Sequence, residues 1–357
     1  MYEGKKGMYA LFSEHYEDAD LHINEIHRKE IAQAQFGNTG QWHRAQYFQN
    51  KDDLKKNLTE GRPPAGLFAS SAYYMDPNER MITRRGLMKF DFIVDLDDYM
   101  NDEDDMVDFI EDMRLKTKAV IDRFLVDLGF DKDDMKIDFS GNKGFHITIE
   151  SDEYAYLDQA DRRQLIGYVV GDKLDRSTIL EDSKIRHYGW NKQVVHFVNG
   201  LLEDPSIDNL EKYFPKTKAK KINSLLTDPD VLSRLQAGSL VDFDLKTLKS
   251  AMFKEHNKNI KAIVDKGCTT DKHRIFRVPG SLHAKKGLPS VRLDMFQLDS
   301  VDLIIDEIMR VAGEDEVEVN LLNDVEINFP RKKSFEKGKH TMPRYEALCA
   351  IVADCKN

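Results

Sequence analysis

The sequence is poor in cysteine. Its 357 residues include Cys268, Cys349 and Cys355 only, too few and too scattered for a disulfide framework, which points to a reducing compartment. No apolar run approaches the roughly 20 residues that a membrane-spanning helix needs. Residues 1–6 lead straight into polar sequence, without the pattern of a secretory signal. Internal repeats and low-complexity segments are missing. So are Gly-x-x-x-x-Gly-Lys-Ser/Thr and Gly-x-Gly-x-x-Gly, which excludes a Walker loop and a dinucleotide fingerprint. A net charge of −10 argues against a general nucleic-acid coat, although a local basic groove would suffice for such binding. What is present is enough for a real core, 41% hydrophobic residues under a surface supplied by 32% charged ones. The length suits one large domain or two ordinary ones.

Hydrophobic periodicity organises the chain. The N-terminal stretch to about residue 60 reads mostly as helix, with a half-buried strand over 31–36 and a turn at Gly37, Asn38 and Gly40. Pro63, Pro64 and Gly66 break the chain before a strand over 67–74, and a further strand covers 88–96. The acid-rich stretch 101–108 reads as a solvated helix start that complements the helix dipole. Phe109, Met113, Val120, Phe124 and Leu125 form one face of the helix that follows. A hairpin turns through Gly141-Asn142-Lys143-Gly144. Residues 156–263 read as helical, an insert of 156–255 between core segments 1–155 and 256–357. Strand-like sequence returns at 260–265, 273–278 and 291–296; a helix over 302–311 is capped by Ser300 or Asp299, and a short apolar helix spans 345–352 beyond a basic stretch from Arg331.

Three segments carry chemistry. In Asp-Phe-Ile-Val-Asp-Leu-Asp-Asp (91–98), Asp95 and Asp97 end an apolar run. On a strand both point to one face, their Cα atoms about 7 Å apart at ~3.3 Å per residue. Like charges so close favour a divalent cation as neutraliser, although Asp-x-Asp pairs also serve as loop and cap residues. In Ser140-Gly141-Asn142-Lys143-Gly144-Phe145-His146, two glycines allow a sharp turn and close approach to an anion; an ordinary hairpin is the plainer reading. The third segment runs from Val264-Asp265 to His273-Arg274-Ile275-Phe276-Arg277-Val278-Pro279-Gly280-Ser281-Leu282-His283, with Lys285 and Lys286 beyond. Arg277 and His283 gather phosphate-binding groups, and Asp265 is either a third metal carboxylate or a turn residue at a strand end.

Taken in order, these segments resemble the small catalytic subunit of the archaeo-eukaryotic DNA primases in its archaeal form: Asp-x-Asp on an apolar strand, Ser-Gly-x-x-Gly-x-His, then apolar-Asp leading into Arg-x-Pro-x-Ser-Leu-His-x-x-x-Gly. Arg28-Lys29-Glu30-Ile31-Ala32, Ser70-Ser71-Ala72-Tyr73-Tyr74 and Met342-Pro343-Arg344-Tyr345 extend the resemblance over nearly the whole chain. It implies an α+β fold, a primase-type core of mixed and antiparallel sheets with flanking helices, plus a helical subdomain. It implies that Asp95, Asp97 and Asp265 ligate Mg²⁺ or Mn²⁺, with Asp294 the competitor for the third place. Ser140, Lys143, His146, Arg277 and His283 would then contact the nucleotide. Arg44 and Glu30 are weaker matches near the incoming nucleotide, and Tyr73 matches a packing position.

The activity so implied is primer synthesis on single-stranded DNA from NTPs or dNTPs, by two-metal nucleotidyl transfer. A large primase subunit would be the partner, docking where the helical region exposes an apolar patch, and the setting would be a prokaryotic cytoplasm near the nucleoid. Two departures stand out. The Cys/His zinc knob that usually follows the first motif is missing, since 98–138 holds no Cys or His, so no structural zinc is expected there. Asn142 also stands where the family has a basic residue. Rival readings are a primase–polymerase of a mobile element, a gap-filling repair polymerase of end joining, a phosphohydrolase, and a non-catalytic nucleic-acid-binding subunit.

Overall fold

The computed structural model describes residues 1–36, 38–101, 105–172 and 174–356, and of 38–42 the backbone alone. The chain divides into two compact units, one of residues 1–118, 132–163 and 265–357, the other of 119–131 and 164–264.

The first unit is α+β. Its strands include Ile31–Gln35 (β1), Asn38–Gln46 (β2), Gly66–Ser70 (β3), Phe92–Asp97 (β4), Met135–Phe139 (β5), Gly144–Ile149 (β6), Val264–Asp265 (β7), Ile275–Arg277 (β8) and Val291–Leu293 (β9). A four-stranded antiparallel sheet runs β8-β3-β1-β2 and a five-stranded sheet β7-β4-β6-β5-β9. In β4, Phe92, Val94 and Leu96 are wholly buried, while Asp95 and Asp97 look the other way, half-buried and exposed. A third sheet places Glu316–Leu321 between Tyr2–Glu3 and Gly338–Pro343. Its alternation of Val317, Val319 and Leu321 with exposed or half-exposed polar residues is a strand signal that the sequence reading passed over.

Two long expected strands are each split. Residues 67–74 become Gly66–Ser70 and Ala72–Tyr74, and 88–96 become Leu87–Phe90 and Phe92–Asp97, because the chain changes sheet at Ser71 and Asp91. Asp91 N donates to Ser71 O at 3.0 Å. The Asp91 carboxylate is held by Lys29 Nζ at 2.8 Å and Tyr73 Oη at 3.1 Å. Arg162 is fully buried beneath the crossing and donates to the carbonyls of Phe90 (2.6 Å), Asp91 (2.8 Å), Tyr154 (2.9 Å), Leu157 (3.0 Å) and Ala155 (3.2 Å).

Elsewhere the differences are local. Gly37 and 102–104 lie outside the described residues, so the expected turn and acidic stretch are seen only in part; Asn38 and Gly40 already belong to β2, and the helix begins at Met106. The strand expected over 260–265 shrinks to β7 after a π-helical turn, Asn257–Lys261. Residues 291–296 give only β9, after which Asp294 caps the 3-10 helix Met295–Asp299 through a capping box with Gln297. Ser300 caps the helix Val301–Ala312.

The second unit is helical. Gly189–Glu203, Lys216–Leu226, Pro229–Gln236 and Leu245–His256 enclose a core that includes Trp190, Phe197, Phe214, Leu226, Leu248 and Phe253. Trp190 stacks on Phe253 with centroids 5.0 Å apart, and Arg123, paired with Asp127 at 2.8 Å, lies over the indole.

Candidate active site

A cavity of about 220 Å³ opens between the Asp95 strand, the Gly141–Gly144 turn and β8; its lining includes Asp95, Asp97, Ser140, His146, Arg277 and His283. Register explains much of this. Asp95 sits directly across from His146 and Asp97 across from Gly144, and directly opposed residues share a face. His146 Nε2 lies 3.4 Å from Asp95 Oδ1, and its ring meets Phe276 edge-on at 5.4 Å.

The hairpin turn needs its glycines. Gly141 has φ +77°, and a Cβ there would come within 3.0 Å of the Pro289 backbone. At Gly144 a Cβ would fall 2.3 Å from Leu96 O and 3.2 Å from Asp97 Oδ1. Gly144 therefore lets β6 close on β4 and leaves the space opposite Asp97 open. Gly144→Ala is expected to push the two strands apart, cutting activity at least tenfold and lowering the thermal midpoint by several degrees; paired activity and melting measurements check this. Ser140 closes the turn, accepting from Gly144 N through Oγ at 3.1 Å.

The acidic wall is completed from afar. Asp265 is outside the cavity lining but reaches Asp95 from the side. One donor atom each from Asp95, Asp265 and Cys268 lie within 4.8 Å of one another. Asp97 lies outside that trio, further along β4. The Asp95 carboxyl is pushed up by burial, but hydrogen bonding and charge from His146, with the Cys268 thiol and Arg274, outweigh this and hold it below the ordinary range. Asp97 is raised, chiefly by burial, with Asp95 adding to the effect and Lys143 opposing it. Oxygen donors so grouped fit a hard divalent cation, which would neutralise carboxylates that otherwise repel.

The cationic wall is β8 and the turn after it. Arg277 lies over the Phe68 ring at 4.6 Å and donates to Leu282 O at 3.3 Å; burial lowers it to about 10, so it is charged at neutral pH. His283 is driven to about 2 by burial and by Arg277, and is neutral. Its Nδ1 accepts from Lys285 N at 3.2 Å, which places the ring proton on Nε2 as a donor. Arg274, which the sequence reading left without a role, lines the cavity and comes within 3.5 Å of Asp265. Its position in a cationic run shortly after Asp265 was the available signal. Lys143 is not in the lining; its ammonium lies 5.9 Å from the Tyr99 ring, and Asn142 lines the cavity instead.

Other candidates are occupied elsewhere. Glu30 is buried and takes a bidentate bond from Arg44 (2.8 and 3.1 Å) and one from Arg85 (2.5 Å), so it and Arg44 lock a sheet edge. Tyr73 holds Asp91. Asp294 is consumed as a cap.

Two buried histidines and the half-buried His283 make the fold acid-sensitive. His15 and His256 are lowered to about 4, and His283 further, in each case chiefly by burial. The unfolded chain therefore binds more protons below pH 6.5, and stability falls as pH drops from about 6.5 towards 4. Urea midpoints at pH 7 and 4.5 should show the loss. His15→Gln, which keeps a donor for Gly280 O, should flatten part of it.

Comparison with known proteins defines the class. The family model described as DNA primase small subunit matches residues 92–295, which contain all three aspartates and the whole cationic wall. The chain belongs to the DNA primase small subunit family, and is thus a nucleotidyltransferase of the primase type. Three archaeal proteins named DNA primase small subunit PriS are similar along nearly their whole length. That of Thermoplasma volcanium is 27% identical over 96% of this chain and 94% of its own. That of Picrophilus torridus is 27% identical over 94% of each. That of Methanococcoides burtonii is 26% identical over 95% and 94%.

Proposed function

We propose that this chain is the catalytic subunit of a primase that joins nucleotides into short primers on single-stranded DNA, with divalent cations held by Asp95, Asp97 and Asp265. The observation that carries this reading is the meeting of Asp95 and Asp265, remote in sequence, beside a cavity whose other wall holds Arg277 and His283. Mg²⁺ or Mn²⁺ bound there would lower the pKa of the attacking 3′-hydroxyl and neutralise the leaving oxygens. Arg277 grips the β- and γ-phosphates with its planar fork. His283 adds a neutral Nε2–H donor, Ser140 and His146 contact the phosphates beside Asp95, and Lys143 contributes charge at the rim. The hydroxyl attacks the α-phosphorus and pyrophosphate leaves; positioning and charge, more than a protein base, drive the step.

The chemistry is assigned to core segments 1–155 and 256–357, with 156–255 an inserted helical platform. A small subunit implies a larger partner, and the large primase subunit, assisting initiation and setting product length, is the partner we assign. Among the described residues no helix is long and apolar enough to cross a membrane; a DNA substrate puts the work at the nucleoid. The test incubates the purified chain with single-stranded DNA and labelled NTPs or dNTPs, with Mg²⁺ or Mn²⁺ and with a chelator. Metal-dependent strand synthesis is expected. Free phosphate without a lengthened strand, or no turnover with any pool even alongside a large subunit, would contradict the reading.

A further inference from the structure

Cys268 reaches the acidic cluster by way of a short turn. Asp265 caps Lys266–Thr270, and its Oδ1 accepts from Gly267 N at 2.8 Å and Cys268 N at 3.4 Å. That oxygen is tied to the backbone, and Oδ2 is left for other partners. The same turn carries the Cys268 sulfur back to the carboxylates, 3.1 Å from Asp265 Oδ2 and 3.3 Å from Asp95 Oδ2. Cys268 is only 3% exposed, and it packs with Ile93 and Phe276. One sulfur-bound proton therefore bridges two carboxylates, at the point where three donor atoms from two distant segments converge.

We propose that Cys268 supplies a sulfur donor to the metal centre of Asp95 and Asp265, biasing that centre towards sulfur-tolerant divalent ions (Mn²⁺, Co²⁺, Cd²⁺) over Mg²⁺. This rests on the reading of the two aspartates as cation ligands. Mg²⁺ demands oxygen ligands, whereas softer ions accept thiolate readily. As the sulfur–metal bond forms, the thiol proton leaves to solvent, and the ion keeps its oxidation state. The geometry makes the sulfur a donor beyond its packing role, because it faces both carboxylates while its apolar flank remains in the core.

Co²⁺ titration of the purified full chain, followed by near-ultraviolet absorption, reads sulfur ligation directly. Isothermal titration with Cd²⁺ and with Mg²⁺ gives the selectivity. The expected result is a sulfur-to-cobalt charge-transfer band that persists in Cys355→Ser and is lost in Cys268→Ser and Cys268→Ala. The Cd²⁺-to-Mg²⁺ affinity ratio should fall about tenfold or more in those two variants. Cys268→Ser keeps the side-chain volume nearly constant and guards against a packing artefact. Wild-type protein that binds Co²⁺ but shows no charge-transfer band, or a ratio unchanged in both Cys268 variants, would leave the sulfur a core atom and overturn the proposal alone. Wild-type protein that binds no divalent ion would overturn the ligand reading as well.

Discussion

Asp95→Asn is expected to lower nucleotide incorporation by about 10³-fold while leaving the fold intact, a loss of ~4 kcal/mol of transition-state stabilisation. Asparagine keeps the shape of the side chain and one carbonyl acceptor, enough for the Cys268 thiol or for His146 but not for both. What it removes is the negative charge that would hold a cation. Because hydrogen bonds and charge outweigh burial and hold the folded-state carboxyl below its ordinary range, the charge favours the fold, and the variant's thermal midpoint at neutral pH should be unchanged or slightly lower. Asp97→Asn should fall in the same direction. Asp294→Asn supplies the contrast. That side chain is committed to a capping box, so the variant should retain nearly full activity with a stability change of about 1 kcal/mol or less. Steady-state incorporation and melting curves on the three proteins check the set. Equal losses in all three would mean that general destabilisation, and not charge at one site, explains the effect.

Arg162→Leu is expected to give the largest stability loss, roughly 4 kcal/mol, by leaving buried carbonyls without donors. The guanidinium has five carbonyl partners and lies 3.5 Å over the Phe90 ring. Burial lowers it to about 10, so it remains charged at neutral pH. Lysine cannot reproduce the fork and should recover little. A fall in thermal midpoint of about 10 °C would follow. Two of the five carbonyls belong to Phe90 and Asp91, where the chain changes sheet just before β4. Activity should therefore fade at temperatures below the main unfolding transition. A midpoint within 2 °C of wild type, set against this ~10 °C expectation, would show that water replaces the guanidinium without difficulty.

The contrast between Asp91 and Asp95 shows what the sequence made legible. Both flank the same apolar run, and period-two alternation correctly puts Asp95 and Asp97 on the face opposite Phe92, Val94 and Leu96. The turn at 141–144 was equally readable from Gly141, whose φ of +77° is a local demand, whereas the need for Gly144 comes from the approach of β4. Asp91 was not, since its partners Lys29, Tyr73 and the backbone of Ser71 arrive from elsewhere in the chain and only they turn one long strand into two. Asp294 looked like a strand carboxylate until Gln297 closed a cap on it. Cys268 showed no ligand spacing in sequence; its place depends on a five-residue helical turn whose cap swings the sulfur towards a strand 173 residues away. Glu316–Leu321 alternated plainly, but its pairing with both ends of the chain is a matter of topology.

Diffraction from crystals grown with Mn²⁺ and a non-hydrolysable nucleoside triphosphate tests the account most directly. It predicts an anomalous manganese peak between the carboxylates of Asp95 and Asp265, with the triphosphate extending to Arg277 and His283. Manganese bound only at another acidic cluster, such as the cavity edged by Glu14, Asp18 and Asp315, with the nucleotide away from Arg277, would contradict it.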